Sequence, residues 1–377
     1  MRPNWFIGEM RTGDRTNFIR PVSGTWKRSL SSEGEIECTM DMRGHDVTKL
    51  NLGLAAEEWR TYLAVEKDGR IRQAGPILGH QFNDDDQTLV LKAGGFKSYL
   101  QHRVQTVWPI VDLATDTVTY RGSYGDIARS IIRGMMMRPG GDLPIVVPNI
   151  VEGGTRVRTL NNFDLSYVGD LIDNLTNIIN GPDIVFRPRL RADGLGVEWE
   201  MLTGTDDDDE IHGTVDAEPV WDHSARKTTV RSLSVNRSGA NLADEAFALG
   251  GGQQDKLIMA RSNRTGLRDR GFPLMQAQLN LNSVSEITTA QGYADRQSQF
   301  GQKSVVTWDM KVSANMPPRI TEYQEGDYIR VRVGVHKYIP AGEYRMRLLD
   351  IASDALENEV TLTISPDRTE PEIEDEA

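Results

Sequence analysis

The sequence has a single cysteine, Cys38, among its 377 residues. One cysteine cannot form an intrachain disulfide, a multi-thiolate zinc cluster or a CxxC redox pair. The composition therefore excludes small disulfide-stabilised proteins and dithiol oxidoreductases, and nothing in it requires an oxidising compartment.

Basic residues are also outnumbered by acidic ones. The 43 Lys and Arg residues face 55 Asp and Glu residues, which leaves a formal net charge of -12. Such a surface repels a phosphate backbone over most of its area, so sequence-specific DNA binding is not expected.

Long apolar segments are absent as well. No stretch approaches the roughly 20 consecutive apolar residues that cross a bilayer. The opening MRPNWFIGEMRTGD has no apolar segment long enough for a signal peptide. We therefore predict a protein without a membrane-spanning segment, made in the cytoplasm. Its 38% apolar and 26% charged residues are typical of a folded globular protein, and the length suits roughly two or three domains.

Motifs that carry chemistry are missing too. The strings GxxxxGK, HExxH and GxSxG do not occur. The glycines of GMMMRPGGD follow a predicted helix rather than open one, which indicates a helix exit. The acidic run at 206–209 with His212 lacks the spacing of a calcium loop and is interpreted as a solvated turn. We predict no catalytic residues, no cofactor and no metal, and hence a protein that is not an enzyme.

The first 108 residues have the pattern of β-strands. Residues 35–42 alternate apolar with polar or acidic side chains, as a strand with one buried face does. Strands at 62–66 and 71–78 flank the pair Asp68-Gly69, which favours a tight hairpin turn.

The middle of the sequence has helical spacing instead. Ser123 and Asp126 are spaced as a capping box and open one helix, and a second helix is predicted to begin near Ser166. Strands at 184–190 and 196–202 follow. These elements predict a small α/β region inserted between two β-rich parts.

Strands return in the last part of the chain, together with one helix. Ser283 and Glu286 again have capping-box spacing and predict a helix that extends to about Phe300. Downstream, EGDYIRVRV places Arg330 and Arg332 on the face of a strand opposite its apolar residues. We expect these two arginines to meet carboxylates on an adjacent element or subunit, because charges at a closed interface need partners. Exposed arginines that merely discourage edge-to-edge aggregation are the alternative.

A second group of arginines lies in RSNRTGLRDR, residues 261–270. It consists of Arg261, Arg264, Arg268 and Arg270. The segment is either an exposed loop or a contact for an acidic partner, since guanidinium groups pair well with carboxylates.

Three segments follow one another along the chain: YLAVEKDGRIRQAGPILG with LVLKAGGFKSYLQHR, the helix and strand units of residues 123–202, and ITTAQGYADRQSQFG leading through EGDYIRVRV to a last hairpin. In these segments and their order the chain resembles the tail hub family of tailed bacteriophages. That family includes the central hub of contractile-tail baseplates and the minor tail proteins of long non-contractile tails.

The resemblance implies a β-rich α+β fold with two tail-tube-like β-barrel domains and a small inserted α/β region. The expected first barrel covers residues 1–108, the inserted region 109–219 and the second barrel 220–366. Residues 367–377 are acidic without apolar periodicity and are expected to form a disordered tail.

The resemblance further implies a structural virion protein of the siphophage type. The expected role is a homotrimeric tail-tip hub that continues the tail tube, closes or gates it, and anchors distal tip proteins for DNA delivery. Expected partners are a distal tail protein, a tape measure protein and tip or fibre proteins, with genomic DNA only in transit. Assembly is expected in the host cytoplasm. The alternatives are a distal tail or receptor-binding protein and a tail-associated cell-envelope hydrolase.

Overall fold

The computed structural model describes residues 3–30, 32–44, 51–178, 180–213, 217–251, 257–281, 284, 286–354 and 358–366. The helices are α1 (Leu52–Ala55), α2 (Lys97–Leu100), α3 (Tyr124–Met136), α4 (Val168–Thr176), α5 (Gly266–Asp269) and α6 (Ile287–Phe300), with a 3-10 turn at Asn162–Asp164. The strands of the first half are β1 (Asn4–Glu9), β2 (Arg15–Ile19), β3 (Ser23–Ser29), β4 (Glu35–Asp41), β5 (Thr61–Lys67), β6 (Arg70–Asn83), β7 (Thr88–Gly94), β8 (Thr117–Gly122), β9 (Ile145–Val146), β10 (Arg156–Asn161), β11 (Ile184–Leu190) and β12 (Val197–Thr203). The strands of the second half are β13 (Val220–Asp222), β14 (Val230–Ser238), β15 (Glu245–Leu249), β16 (Met259–Asn263), β17 (Gln276–Asn280), β18 (Val305–Ser313), β19 (Tyr328–Val333), β20 (Gly342–Asp354) and β21 (Glu359–Pro366).

One large sheet joins strands from both ends of the chain. Its order is β14-β18-β21-β20-β3-β4-β7-β6-β5-β1-β2, and β19 pairs with β20 and with β13. The long strand β20 makes the junction: its first half pairs with β19, and its second half pairs antiparallel with β3, where Asp350 lies opposite Ser29. The two β-rich parts are therefore continuous through main-chain hydrogen bonds.

The main hydrophobic core lies on one face of this sheet and draws on both β-rich parts. Trp26 and Ile36 from the first part share it with Trp221 and Trp308 from the last. All four side chains are buried. Because burying a large apolar side chain contributes roughly 1.5–3 kcal/mol, this shared core ties the two ends of the chain together.

The predicted β-rich α+β class is confirmed, but the two predicted closed barrels are not found. Among the described strands, the large sheet ends at β14 and β2, and no sheet closes on itself. The physical reason is the pairing of β20 with β3, because it uses strand edges that each part would need to close alone. The boundaries at residues 108, 219 and 366 remain predictions, and the tail at 367–377 lies outside the described residues.

The α/β region packs behind the first β-rich part. Helices α3 and α4 and the small sheet β11-β12-β9 form a second core with residues of β1, β5 and β6. Trp199 lies at its centre, fully buried, and its Nε1 donates a 3.0 Å hydrogen bond to the carbonyl of Ala74. The insert is therefore anchored to β6 by a specific buried contact as well as by apolar packing.

Local signals in the sequence predicted several elements correctly. Asp68 and Gly69 both have positive φ angles, 53° and 72°, as the predicted tight turn requires. The capping box before α3 is present, with Asp126 N donating to Ser123 Oγ at 2.9 Å. The helix predicted near Ser283 is also present, but it begins at Ile287, so Glu286 precedes it rather than occupying its third position. Ser283 lies outside the described residues.

A further three-stranded sheet, called the third sheet below, was not predicted. Strands β16, β15 and β17 pair in that order, and α6 covers them through a small core that contains Ala246, Ala260, Tyr293 and Ala294. The arginine-rich residues 261–270 are not a simple loop, because they form the end of β16 and the short helix α5. None of the described helices has the length and apolarity to span a bilayer.

Candidate assembly surface

Strand β19 presents a charged face to solvent. Ile329, Val331 and Val333 point into the main core, while Arg330 and Arg332 are exposed on the other face. The alternation therefore places the two predicted arginines on the outside of the sheet.

Arg330 lies directly opposite Arg345 of β20, and Glu218 bridges these two like charges. Glu218 accepts hydrogen bonds from Arg330 Nε at 2.8 Å and from Arg345 Nε at 2.7 Å. Partial burial opposes ionisation of Glu218, but the two guanidinium groups outweigh it and lower its pKa. One carboxylate thus relieves a repulsion that the strand register creates.

Arg332 is paired with Glu343, which lies opposite it on β20. Glu343 accepts hydrogen bonds from Arg332 Nε at 2.6 Å and from Arg330 Nη1 at 2.8 Å, and these bonds lower its pKa. The carboxylates that face both predicted arginines therefore lie on neighbouring elements of the same chain. Both guanidinium groups remain about half exposed, and their contact with another subunit remains a prediction.

A buried ion cluster joins the three parts of the chain. Glu325, which is 2% exposed, accepts a 2.8 Å hydrogen bond from Arg187 Nε of β11 and lies 3.2 Å from Arg28 Nε of β3. Burial raises the pKa of a carboxyl group, but the charges of Arg28 and Arg187 outweigh it, so the pKa of Glu325 is lowered. The cluster fixes the α/β region on the junction of the large sheet.

A second cluster lies beside it. Arg347 of β20 is buried, pairs with Asp183, and lies 3.3 Å from Glu210 through Nη1. Burial lowers the pKa of a guanidinium, yet the two carboxylates reverse this and raise the pKa of Arg347. Both carboxylates lie on segments next to β11 and β12, so this cluster also holds the inserted region against the sheet.

The arginines of residues 261–270 lie beside the third sheet. Arg261 pairs with Glu245, and Arg268 Nε donates to the buried carboxylate of Asp244 at 3.1 Å. Arg270 donates to the carbonyls of Gly266 and Gln302, whereas Arg264 is exposed. Arg264, Arg268 and Arg270 follow the end of β16, whereas Arg261 lies within that strand. The role of the four as partner contacts remains a prediction.

The outer face of the large sheet is polar across seven strands, from β14 to β7. Asp309, Thr363, Asp350 and Ser29 follow one another across β18, β21, β20 and β3. Its outward side chains also include Asn236, Lys311, Thr361, Lys27, Glu35, Glu37, Thr39 and Lys92. Two of the lysines are paired, Lys27 with Asp350 at 2.9 Å and Lys92 with Glu37 at 3.7 Å. The outer-face side chains named here combine hydroxyl groups and one amide with four carboxylates and three lysines.

The acidic run at 206–209 behaves as a turn at the surface. Asp206 pairs with Arg156, and Asp208 lies 2.8 Å from His212 Nε2. Within the described ranges, no group of three or more His, Cys, Asp or Glu side chains is placed to hold a metal ion. Several of the ion pairs described above join different elements, and these pairs help to hold the elements together.

Sequence reasoning missed both buried clusters and the bridging carboxylate. Glu218 and Arg330 are 112 positions apart, and Glu325 and Arg187 are 138 apart. No local periodicity relates residues at such distances. Glu343 could have been found, because β19 and β20 are successive antiparallel strands and a carboxylate opposite an arginine is a common cross-strand pair.

Solved structures share this architecture over nearly its whole length. The 43 kDa tail protein of prophage MuSo2 from Shewanella oneidensis superposes with a TM-score of 0.55 at 10% identity, covering 97% of this chain and 98% of that chain. The tail protein from Neisseria meningitidis MC58 superposes with a TM-score of 0.54 at 11% identity, covering 97% and 96%. This chain has the fold of these tail proteins. No protein-family model and no curated protein sequence matches the chain.

The tail-protein fold accounts for the arrangement of the parts. The continuous sheet, the α/β region behind it and the small third sheet all fall within the superposed length, since 97% of the chain is covered in both cases. At identities of 10% and 11%, the likeness rests on topology rather than on retained side chains.

Proposed function

We propose that this chain is a structural protein of a bacteriophage tail tip, assembled as a homotrimeric hub of the siphophage type. The observation that carries the proposal is the fold shared with the tail protein of prophage MuSo2 and with the tail protein from Neisseria meningitidis along almost the full length of each chain. The hub continues the tail tube, closes or gates it, and anchors distal tip proteins. It has no catalytic activity of its own.

The two β-rich parts of each chain supply the wall of the ring. Three chains provide six such parts, alternating around an axis, and the pairing of β20 with β3 makes each pair of neighbouring parts rigid. A rigid pair suits a ring whose channel diameter must stay constant while the tail tube binds one end and the tip proteins bind the other.

The polar outer face of the large sheet faces the channel in this arrangement. Its paired lysines leave few free cations for a phosphate backbone, and the net charge of -12 disfavours binding further. A lining of this kind lets DNA pass without being held, so the proposed relation to genomic DNA is transit only.

The proposed partners follow from the position at the tip. A distal tail protein lies above the hub, the tape measure protein ends at it, and tip or fibre proteins attach below. The chain is assembled in the host cytoplasm and then resides in the virion. These partners are expected to bind the rims of the ring and the exposed face of the α/β region.

The mass of the purified assembly tests the proposal. Native mass spectrometry over a concentration series should give three copies of the full chain, with a dissociation constant that light scattering reproduces. Six copies would instead favour a distal tail protein, and a single copy at all concentrations would favour a peripheral receptor-binding protein. Either result would contradict the trimeric hub.

A further inference from the structure

Two loops of the α/β region expose apolar side chains side by side. Val107 N donates to Asn162 Oδ1 at 2.8 Å, and Asn162 N donates to the carbonyl of Asp116 at 2.9 Å. The apolar side chains exposed there are Trp108, Ile110, Val111, Leu113, Phe163 and Leu165. We call this surface, residues 107–113 and 163–165, the loop patch.

The loop patch is folded rather than loose. The carboxylate of Asp116 accepts hydrogen bonds from Val111 N at 3.0 Å and from Asp112 N at 2.8 Å, which closes the first loop. Val111 is nonetheless 85% exposed and Phe163 59% exposed. Apolar side chains clustered on an ordered surface mark a site of protein contact.

Carboxylates outnumber cations at the loop patch, where the guanidinium of Arg138 lies 5.4 Å from the ring of Trp108. Asp112 and Asp170 are exposed, and Asp164 lies between two of the apolar residues. None of these three forms an ion pair with a described residue, unlike the nearby Asp173, which pairs with Lys97. The occupant of the loop patch should therefore combine apolar side chains with positive charge.

A surface of that composition exists on the same chain. Arg264 and Arg270 form no ion pair with any carboxylate of the described residues, and the guanidinium of Arg270 lies 5.5 Å from the ring of Phe272. Phe272 and Leu274 are exposed beside them. We call residues 261–274 the arginine surface.

The two surfaces lie at opposite ends of the third sheet. Asn280, at the end of β17, lines a cavity of about 470 Å³ together with Asp164 of the loop patch and the neighbouring Asp170. The arginine surface lies at the other end, where Glu245 is opposite Gln276. Four residue steps along the strand separate these ends by about 13 Å, so the two surfaces occupy different places on one chain.

We infer that the loop patch of one copy docks the arginine surface of the next copy. A closed ring needs head-to-tail contacts between two different complementary surfaces, and these two have matching apolar content and opposite charge. Phe272 and Leu274 pack on Trp108 and Phe163, while the guanidinium groups pair with the carboxylates at the rim. The inference rests on the proposed trimer and names the contact that builds it.

Charge reversal tests the contact. Two double variants reverse the charge of one surface each: Asp164→Arg with Asp170→Arg, and Arg264→Glu with Arg270→Glu. Each double variant should raise the protein concentration at which half of the chains are assembled by at least about tenfold. All four substitutions in one chain should restore assembly, because the charges are again complementary. Asp85→Arg and Arg226→Glu are the controls, since both positions are exposed, lie outside the two surfaces and should leave assembly unchanged.

A double variant that neutralises charge instead of reversing it tests the same contact with less risk of disturbing the fold. Arg264→Gln with Arg270→Gln removes two exposed charges and should give a smaller shift of the same sign. The inference would be overturned, with the trimer intact, if both charge-reversed variants assembled as the wild type does. It would also be overturned if the chain with all four substitutions failed to assemble. A wild-type chain that stays monomeric would overturn the trimer and the docking contact together.

Discussion

Glu325 and Arg187 form a buried ion pair, with 2.8 Å between Oε1 and Nε, although 138 positions separate them in sequence. The other carboxylate oxygen of Glu325 lies 3.2 Å from Arg28 Nε. One carboxylate thus contacts the first β-rich part, the inserted region and the last β-rich part. This group therefore links the inserted region to both β-rich parts.

Removing the charge of Glu325 should destabilise the whole chain. In Glu325→Gln the shape is retained, but Arg28 and Arg187 keep buried charges without a counter-charge. Breaking a buried pair in this way costs about 3–5 kcal/mol. Chemical denaturation should show that loss, whereas Glu58→Gln, which removes the exposed partner of His80, should change the free energy of unfolding by less than about 1 kcal/mol.

The same carboxyl should make stability depend on acid pH. The pKa of Glu325 in the folded chain lies below its ordinary value of 4.5, so its contribution is complete above about pH 4.5 and is lost as the pH falls through the folded value. Glu325→Gln should flatten this acid limb of the stability curve. An unchanged acid limb would mean that Glu325 is not the group responsible.

Gly75 should not tolerate a side chain. A Cβ at this position of β6 would lie 2.0 Å from the carbonyl oxygen of Gly94 and 2.9 Å from the carbonyl carbon of Gly95, both main-chain atoms. Gly75→Ala should therefore cost about 3 kcal/mol through forced backbone movement. Gly79→Ala in the same strand is the matched control, because no atom lies within 4 Å of the added Cβ.

Thermal unfolding of the two alanine variants separates these effects. Gly79→Ala should be neutral or stabilising by up to about 1 kcal/mol, since alanine loses less backbone entropy on folding. Equal melting temperatures for the two variants would show that β6 and β7 do not approach as closely as the structure has them.

Glu218 should contribute to the free energy of unfolding mainly at low salt. Glu218→Gln leaves Arg330 and Arg345 opposite each other without the bridging charge. Because this network is partly exposed, the loss should be about 1 kcal/mol in dilute buffer and smaller in 1 M salt, where screening is effective. A loss that is independent of salt would indicate that the carboxylate acts through packing instead.

Reversing acidic charge on the outer face should create affinity for DNA. Glu35→Lys with Glu37→Lys places two new cations near Lys27 and Lys92. Fluorescence anisotropy with a labelled duplex should detect binding by the variant assembly, weakening as salt is added. The wild-type assembly should show none at physiological salt. Binding by the wild type would contradict the outer face as a channel lining.

Local patterns predicted elements well because their causes are local. The alternating residues 35–42 predicted the strand β4, in which Ile36, Cys38 and Met40 are buried. The Asp68-Gly69 pair predicted the tight turn that the structure has there. A capping box and helical spacing likewise predicted α3. In each case the residues that determine the element lie within a few positions of it.

The arrangement of elements could not be predicted in the same way. Pairing of β20 with β3 brings Asp350 beside Ser29 through matching edges and a shared core, neither of which leaves a signature in either strand. The same holds for Glu325, whose acidic turn looks like an ordinary exposed one in the sequence. The arginines at 330 and 332 were visible as a pattern, but Glu218, which pairs with Arg330 and Arg345, was not.

The proposed assembly is a hollow ring made of three copies. Electron microscopy of the purified full-length assembly, viewed along its axis, is the decisive measurement. We predict a closed collar with threefold symmetry, whose wall consists of six β-rich parts around an open channel lined by the outer face of the large sheet. A solid particle, or a particle without threefold symmetry, would contradict this prediction.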